Sequence, residues 1–311
     1  MNDAVSRTWT PPAVPEGIPH GDMPGDSIQI GDGHIQKANV IFPELLKLLL
    51  PALAQNPHRR AVVAVCGGSG VGKSETASLL AHYLRESGTG AYTLSGDNYP
   101  HRIPKYNDAE RLRIFRQGGM RGLVRGGVYT RENGEALHAF LLDGRDADPA
   151  LTAGHPWMET YQREGSAALA GYLGSPAEID FQELNGILSQ FLSGARSIFL
   201  KRMGREESAL WYEEVDFSAV RVLLIEWTHA NSDYLRGVDI PILLNSTPAE
   251  TLAHRKARHR DGGADSPFTT MVLALEQRQL VLQAVKARLI VSKSAQLLSY
   301  REYQKRMAEE A

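Results

Sequence analysis

The chain has few of the features that mark secreted or nucleic-acid-binding proteins. Its 311 residues include one cysteine, Cys66, so no internal disulfide can form and an oxidising compartment is not indicated. Acidic and basic residues nearly balance, at 36 Asp plus Glu against 34 Lys plus Arg, so nucleic acid and anionic lipid are not generally attracted. Any anion-binding site is therefore expected to be local.

Long apolar runs are absent as well. The longest leucine-rich stretch, residues 45–54, is interrupted by Lys47 and Pro51 and is much shorter than the roughly 20 apolar residues of a membrane crossing. The first residues lack a basic flank followed by an apolar core, so we expect neither a secretory signal nor a membrane partner. The cytoplasm is the compartment that this composition favours.

What the chain does contain is a phosphate-binding motif. Residues 67–74 read GGSGVGKS and match the pattern G-x-x-x-x-G-K-[ST]. Glycines let successive backbone N–H groups turn inward around phosphate oxygens, and the following helix adds the positive end of its dipole. The motif predicts that ATP binds to Gly67, Gly68, Ser69, Gly70, Val71, Gly72, Lys73 and Ser74.

The flanking residues place this loop between a strand and a helix. Residues 61–66 form a near-continuous apolar run, typical of a buried parallel strand. Thr76, Leu80 and Leu84 then recur at helical spacing. Strand, loop and helix in this order are the context that the motif requires.

Further strands and helices alternate along the chain. The predicted strands are 91–94, 197–200, 220–226, 239–244 and 288–292. The predicted helices are 107–117, one that begins at Asp180 with a cap from that residue, one that begins with a capping box at Thr247, and 269–286. This alternation predicts an α/β P-loop NTPase fold, a parallel sheet with helices on both faces.

We divide the chain into three parts. Residues 1–26 are rich in proline and glycine and are expected to form an extended or disordered arm that does no chemistry. Residues 27–58 are predicted to form an appendage made of a hairpin and a helix. The P-loop domain spans 59–300, with an insertion at about 118–178 that is either a lid-like substrate-side element or irregular.

Two carboxylates follow apolar strands, at the edge where open parallel sheets bind their ligands. Asp97 can accept the proton of an attacking hydroxyl or hold a metal-bound water. Glu226, together with the Ser74 hydroxyl, can hold Mg²⁺ directly or through water. Lys73 can reach the outer phosphates as a point charge. These four are the candidate catalytic and metal-binding residues.

Basic and aromatic side chains supply the candidate substrate contacts. The candidate substrate-binding residues are Tyr99, His101, Arg102, Lys201 and Arg202. Arg255 and Arg258 share one face of a predicted basic helix, and arginines on a mobile lid would stabilise the charge on a transferred phosphoryl group. Arg255 and Arg258 are therefore candidate catalytic residues.

These motifs resemble, in their order, those of small-molecule kinases that include uridine kinase, phosphoribulokinase, bacterial pantothenate kinase and adenylylsulfate kinase. The segment 180–226 is similar to uridine kinase, whereas Gly96-Asp97-Asn98 is similar to adenylylsulfate kinase. The resemblance covers about residues 60–261 apart from the insertion, and it is weaker from there to about residue 292. It implies that Asp97 is the catalytic base or its equivalent and that Arg255 and Arg258 belong to the lid.

We therefore expect an ATP- and Mg²⁺-dependent kinase that phosphorylates a hydroxyl of a small metabolite such as a nucleoside, sugar or sugar phosphate. Adenylylsulfate kinase is the named alternative, and a nucleotide-switched regulatory protein is the alternative of another class. Switch GTPases need N-K-x-D and D-x-x-G motifs after the loop, and the sequence has neither there. The expected partners are a small, in some cases anionic, substrate and a second copy of the chain in a homodimer.

Overall fold

The structure, a computed structural model, describes residues 9–247, 249–253 and 266–309. The strands of this part are β1 (Ala61–Gly67), β2 (Ala91–Ser95), β3 (Ser197–Met203), β4 (Leu210–Asp216), β5 (Val222–Glu226), β6 (Ile240–Leu244), β7 (Leu289–Val291) and β8 (Leu297–Leu298). The helices are α1 (Asp32–Gln55), α2 (Lys73–Glu86), α3 (Pro104–Arg125), α4 (Arg131–Leu142), α5 (Leu151–Gly154), α6 (Trp157–Tyr172), α7 (Phe181–Leu192), α8 (Pro267–Gln283) and α9 (Tyr300–Glu309).

Six strands form the central sheet in the order β2-β5-β1-β6-β7-β8. Neighbours pair in parallel except β7 with β8. Every residue of β1 is buried, and alternate side chains enter two different cores. Val62 and Ala64 contribute to a core that includes α7, whereas Val63 and Val65 contribute to one that includes α1 and α2. The predicted fold class, a parallel sheet covered by helices on both faces, is confirmed.

Strand register brings several polar residues to one edge of the sheet. Val65 of β1 and Ser95 of β2 are both paired with Glu226 of β5. Because the three strands are parallel, Gly67, Ser95 and Glu226 all lie at their carboxyl ends. The phosphate-binding motif, whose first glycine is Gly67, therefore begins at the same edge of the sheet as Glu226.

The N-terminal region differs from the sequence-based expectation. The predicted hairpin does not form, because 27–31 has no regular secondary structure and α1 begins at Asp32. The His34 imidazole accepts a hydrogen bond from the Gly31 N–H at 3.1 Å and so caps this helix start. The predicted leucine-rich helix is present but is 24 residues long, with Pro43 and Pro51 inside it.

Helix α1 has the length and hydropathy to cross a membrane, and within the described ranges it is the one helix that does. A core helix can meet the same criteria. In this structure its Ala38, Ile41, Phe42 and Leu45 are fully buried in the core that α1 shares with α2 and the sheet. The helix therefore packs as part of the core.

Residues 9–26 pack against the domain instead of forming the expected disordered arm. Ile18 and Met23 are buried, and the Trp9 ring lies 4.8 Å from the Phe42 ring, centroid to centroid. The segment has no helix or strand, as its prolines suggested. Its apolar side chains nevertheless join the core around α1.

The insertion is helical, so of the two alternatives for it the irregular segment is wrong. Helix α3 continues to Arg125, past the predicted end at 117, and α4, α5 and α6 follow it. Glycines bring α3 and α6 together: an added Cβ on Gly119 would lie 2.6 Å from the Tyr161 ring, and one on Gly165 would lie 2.7 Å from the Phe115 carbonyl oxygen. These glycines serve close helix packing.

The strand predicted at 197–200 extends to Met203 but does not join the parallel sheet. It pairs antiparallel with β4 in a separate two-stranded sheet. Strand β4 was not predicted, because its sequence LWYEEVD has no apolar alternation and the strand is largely exposed.

The helix crossing gives a stability prediction. We expect Gly165→Ala to lower the free energy of unfolding by about 1–3 kcal/mol, because the new methyl group would overlap Phe115. Gly171, on the same helix, has open space where its Cβ would be, so Gly171→Ala should be neutral or stabilising by up to about 1 kcal/mol. Urea denaturation measures both variants. Equal effects at the two positions would contradict the close packing.

Candidate active site

The phosphate-binding motif adopts a loop that requires glycine. It runs from the end of β1 to the start of α2, and Gly70 and Gly72 have φ of 78° and 91°. An added Cβ would lie 2.6 Å from the Leu244 carbonyl oxygen at Gly67, and 2.7 Å from the His34 imidazole at Gly72. The predicted strand, loop and helix are all present, so backbone N–H groups can surround a phosphate here.

Helix α1 supports this loop, a contact that the sequence did not reveal. The Lys37 ammonium donates a hydrogen bond to the Val71 carbonyl oxygen at 3.0 Å, and the residue is buried. Burial, followed by the nearby charge of Lys293, lowers the pKa of Lys37. A buried charge is costly without a partner, so the loop carbonyl and Lys37 depend on each other.

Glu226 is at the centre of the polar groups beside the loop. The Ser74 hydroxyl donates to its Oε2 at 3.0 Å, and the Ser95 hydroxyl donates to its Oε1 at 2.7 Å. The Lys73 ammonium donates to the Gly68 carbonyl oxygen at 3.1 Å. The structure thus brings the predicted metal-binding pair, Ser74 and Glu226, into direct contact.

The Glu226 carboxyl is strongly perturbed. Burial and, second, the negative charge of Asp97 raise its pKa to about 8, against the opposing effects of Ser95 and Lys73. Asp97 itself lies in the 3₁₀ turn Gly96–Asn98 after β2 and is exposed. The two carboxyl groups therefore interact electrostatically.

The donor set fits a magnesium ion that is also bound by nucleotide phosphates. Mg²⁺ prefers oxygen ligands and is commonly held by one or two carboxylates plus substrate phosphates. Ser74 and Glu226 supply such oxygens, and a divalent cation would offset the repulsion between Glu226 and Asp97. No group of three or more His, Cys, Asp or Glu side chains in the described part of the chain is arranged to hold a metal ion. The protein would supply only part of the ligand sphere.

A second charged cluster lies close by, on α3, α8 and the turn after α6. Arg111 donates from Nε to Glu178 at 2.6 Å and lies 3.8 Å from a Glu276 oxygen. Glu178 also accepts from the Asn107 side chain at 2.9 Å and from the Gly174 N–H at 2.6 Å. Arg111 thus stands between two carboxylates in a fixed orientation.

Electrostatics places this cluster beside the loop. Burial raises the pKa of Glu276, and the charges of Lys73 and Asp97 act on the same group. Burial lowers the pKa of His229 to about 4, so this histidine is neutral at pH 7. Glu178 and Glu276 were not predicted from the sequence, because their proximity to Asp97 depends on how the insertion folds back on the sheet.

The structure removes two of the candidate substrate-binding residues from the cleft. Tyr99 is fully buried in the core that includes α7. Arg202 is buried in an ion pair with Asp22, at 2.8 Å, and also contacts Glu213 at 2.9 Å. Both predictions relied on closeness in sequence to other candidates, which does not determine the direction of a side chain.

The other candidate contacts have protein partners as well. His101 lies within 3.0 Å of the Pro176 carbonyl oxygen through its Nε2, and Arg102 donates to the Tyr172 hydroxyl at 3.1 Å. The Lys201 ammonium donates to the Pro100 carbonyl oxygen at 3.3 Å, and burial lowers its pKa. These three stay candidates for substrate contact.

The predicted lid residues Arg255 and Arg258 lie outside the described residues. The capping box that begins the same segment is present. Glu250 N–H donates to the Thr247 hydroxyl at 3.2 Å, and Thr247 N–H donates to the Glu250 carboxylate at 2.9 Å. The helix start that leads toward the predicted lid is therefore where the sequence placed it.

Comparison with known proteins gives one relative at high identity. No protein-family model matches the chain. Over 238 residues it is 40% identical to the bifunctional alpha-galactosidase/sucrose kinase AgaSK of Mediterraneibacter gnavus. The match covers 76% of this chain and 20% of that protein, so the chain spans about a fifth of the relative's length.

Solved structures show weaker likeness. A structure described as a fructose transport system kinase from Silicibacter sp. TM1040 is 17% identical, covers 80% of this chain and 93% of that chain, and has a TM-score of 0.46. One described as a uridine kinase from Bacillus stearothermophilus is 14% identical over 74% of this chain and 88% of that chain, with a TM-score of 0.40. Agreement this low supports no conclusion about function.

The contact between Lys37 and the loop gives a prediction about nucleotide affinity. We expect Lys37→Met to weaken ATP binding by roughly 2- to 10-fold, because the Val71 carbonyl loses a hydrogen bond that helps to shape the loop. Lys47→Met is the matched control, since Lys47 is exposed on the same helix and pairs with Glu44. Calorimetric titration with ATP measures both. Equal affinities in the two variants would contradict the contact's role.

The Glu226 environment gives a pH prediction. Folded Glu226 keeps its proton up to about pH 8, whereas the unfolded group loses it near 4.5, so this carboxyl costs stability as the pH rises through that interval. Glu226→Gln cannot lose a proton. We expect the free energy of unfolding of the variant, relative to that of wild type, to increase by on the order of a few kcal/mol between pH 5 and 8.5. Urea denaturation without metal ions measures it.

Glu16→Gln, at an exposed position in residues 9–26, controls for loss of a carboxylate and should follow wild type at every pH. Parallel stability profiles for Glu226→Gln and wild type would show that Glu226 titrates normally.

Proposed function

We propose that this chain is an ATP-dependent kinase that transfers the γ-phosphoryl group to a hydroxyl of a sugar. The observation that carries the kinase reaction is the convergence of Lys73, Ser74 and Glu226 on the loop, with Asp97 acting on the same carboxyl. The sugar class is supported by the 40% identical relative, whose name includes sucrose kinase.

In the proposed reaction, a substrate hydroxyl oxygen attacks the γ-phosphorus of ATP, and the bond from that phosphorus to the β–γ bridging oxygen breaks. The hydroxyl proton passes to the Asp97 carboxylate, and ADP leaves. Lys73 exchanges its contact with the Gly68 carbonyl for the phosphate oxygens. The loop amides hold the phosphates in place while the charge redistributes.

Ser74 and Glu226 would hold Mg²⁺ on the phosphates, and the ion supplies charge neutralisation when it is bound. Glu226 must be ionised to be a ligand. Because its pKa is raised to about 8, it releases a proton near neutral pH when it takes up this role.

The second charged cluster suits a neutral acceptor better than an anionic one. Glu178 and Glu276 flank Arg111, so the positive charge of Arg111 is already opposed by two carboxylates. Arg102 is likewise close to an acid, 3.6 Å from Glu110. Carboxylates accept hydrogen bonds from sugar hydroxyls and repel phosphate or sulfate. This favours a free sugar over adenylylsulfate or a sugar phosphate.

An acceptor screen tests the proposal. We expect ATP consumption to depend on an added neutral sugar, with sucrose and fructose tested first, and to be much weaker with uridine or adenylylsulfate. Asp97→Asn should lower kcat by about 10²- to 10⁴-fold, because the hydroxyl proton loses its acceptor. Asp143→Asn, at an exposed position after α4, should leave kcat unchanged.

Three results would contradict the proposal, each in a different part. ATP hydrolysis that no acceptor stimulates would favour the nucleotide-switched regulatory alternative. Sugar-dependent turnover that Asp97→Asn leaves unchanged would show that this carboxylate is not the base. Faster turnover with adenylylsulfate than with any sugar would replace the acceptor class and keep the kinase.

A further inference from the structure

Asp22 is a buried carboxylate in a segment without regular secondary structure. Only 8% of its side chain is exposed. Four donors surround it: Oδ1 accepts from the Ser95 N–H at 2.7 Å and the Asn98 amide at 3.1 Å, and Oδ2 accepts from Arg202 at 2.8 Å and the Tyr92 hydroxyl at 3.0 Å. A carboxylate so fully bonded has one preferred orientation.

These bonds enclose the turn that carries Asp97. Ser95 precedes the turn and Asn98 ends it, so Asp22 holds the chain on both sides of Asp97. The Asn98 side-chain oxygen Oδ1 also accepts from the Met203 N–H at 2.9 Å, and Gly96 packs against the Trp227 ring. The backbone around Asp97 is thus fixed from the N-terminal segment, from β3 and from the end of β5.

The same contacts reach Glu226. Ser95, whose N–H is bonded to Asp22, donates its hydroxyl to Glu226 at 2.7 Å. Gly21 lies against the Glu226 side chain, because a Cβ added there would be 3.4 Å from Oε1. Asp22 therefore acts, through Ser95 and the turn, on both carboxylates of the candidate site.

We propose that Asp22 is a positioning residue for phosphoryl transfer: with Arg202 as its counter-ion, it holds the Asp97 turn and Ser95 in the arrangement that the reaction needs. The inference rests on the proposed kinase function. It assigns the N-terminal segment to the catalytic machinery and explains why Arg202, predicted as a substrate contact, is turned away from the cleft.

The test is a comparison of Asp22→Asn with wild type. The amide keeps an oxygen for the Ser95 N–H but loses the charge that holds Arg202. We expect kcat to fall by at least about tenfold with the KM for ATP changed less than about twofold, since the loop is not touched. If Asp22 were needed only for folding, Asp22→Asn would reduce the fraction of folded enzyme. The apparent kcat would then fall in proportion to that fraction, and the kcat of each folded molecule would equal that of wild type.

Hydrogen–deuterium exchange supplies the second readout. In Asp22→Asn, amides in residues 95–98 should exchange faster, while the loop at residues 67–74 stays as in wild type. Glu16→Gln, an exposed change in the same segment, should alter neither kinetics nor exchange. If Asp22→Asn does not fold, the double variant Asp22→Asn with Arg202→Gln leaves no unpaired buried charge and should show the same loss of kcat.

The outcomes separate the two claims. The inference is overturned if wild type shows sugar-dependent turnover and a folded Asp22→Asn variant keeps its kcat within about twofold of wild type. The kinase proposal then stays intact. If wild type consumes ATP with no acceptor dependence, the kinase proposal fails and the role in phosphoryl transfer fails with it. Exchange at residues 95–98 would then show only whether Asp22 holds the turn.

Discussion

The arrangement of the candidate site depends on one buried carboxyl group, that of Glu226. It ends β5, pairs in register with β1 and β2, and receives hydroxyl donors from Ser74 of α2 and Ser95 of β2. A carboxyl at the end of an apolar strand is costly unless its oxygens are bonded. The two serines meet that requirement, and by doing so they fix the position of the phosphate-binding loop relative to the strand that leads to Asp97.

The N-terminal segment completes the same arrangement from two sides. Lys37 of α1 bonds to the loop at Val71, and Asp22 bonds to the residues that flank Asp97. Both are charged groups whose burial would be costly without partners. Each is hydrogen-bonded to backbone or side-chain atoms of the site. Residues 9–55 are therefore part of the domain's architecture and not an accessory to it.

Local patterns accounted for much of the fold and for the centre of the candidate site. Strand β1, the loop and α2 are adjacent in sequence, and Glu226 ends an apolar strand, so each could be predicted from a short window. Contacts between distant segments could not. Asp22 and Arg202 are 180 residues apart, and nothing in either local sequence points to the other.

Other errors came from reading residue types without their packing. The glycines between 118 and 165 indicated irregular chain, but Gly118, Gly119 and Gly165 lie at a helix crossing, where contact distance and not backbone freedom selects glycine. Tyr99 lies only two residues after Asp97 and faces the core. A turn can present neighbouring side chains in opposite directions. The sequence could therefore predict the position of the turn but not which of its side chains face the site.

The charge balance of the described cleft explains why a cation belongs in the proposed reaction. The Lys73 ammonium lies beside the loop and donates to the Gly68 carbonyl oxygen, whereas Arg111 is already opposed by Glu178 and Glu276. Asp97 and Glu226 add negative charge, and a triphosphate adds more. Glu226 avoids this repulsion without ligand by keeping its proton, as its pKa of about 8 indicates. A cation on the phosphates would make its ionised form favourable near neutral pH, so in the proposed reaction nucleotide, metal and proton binding would be coupled through this one residue.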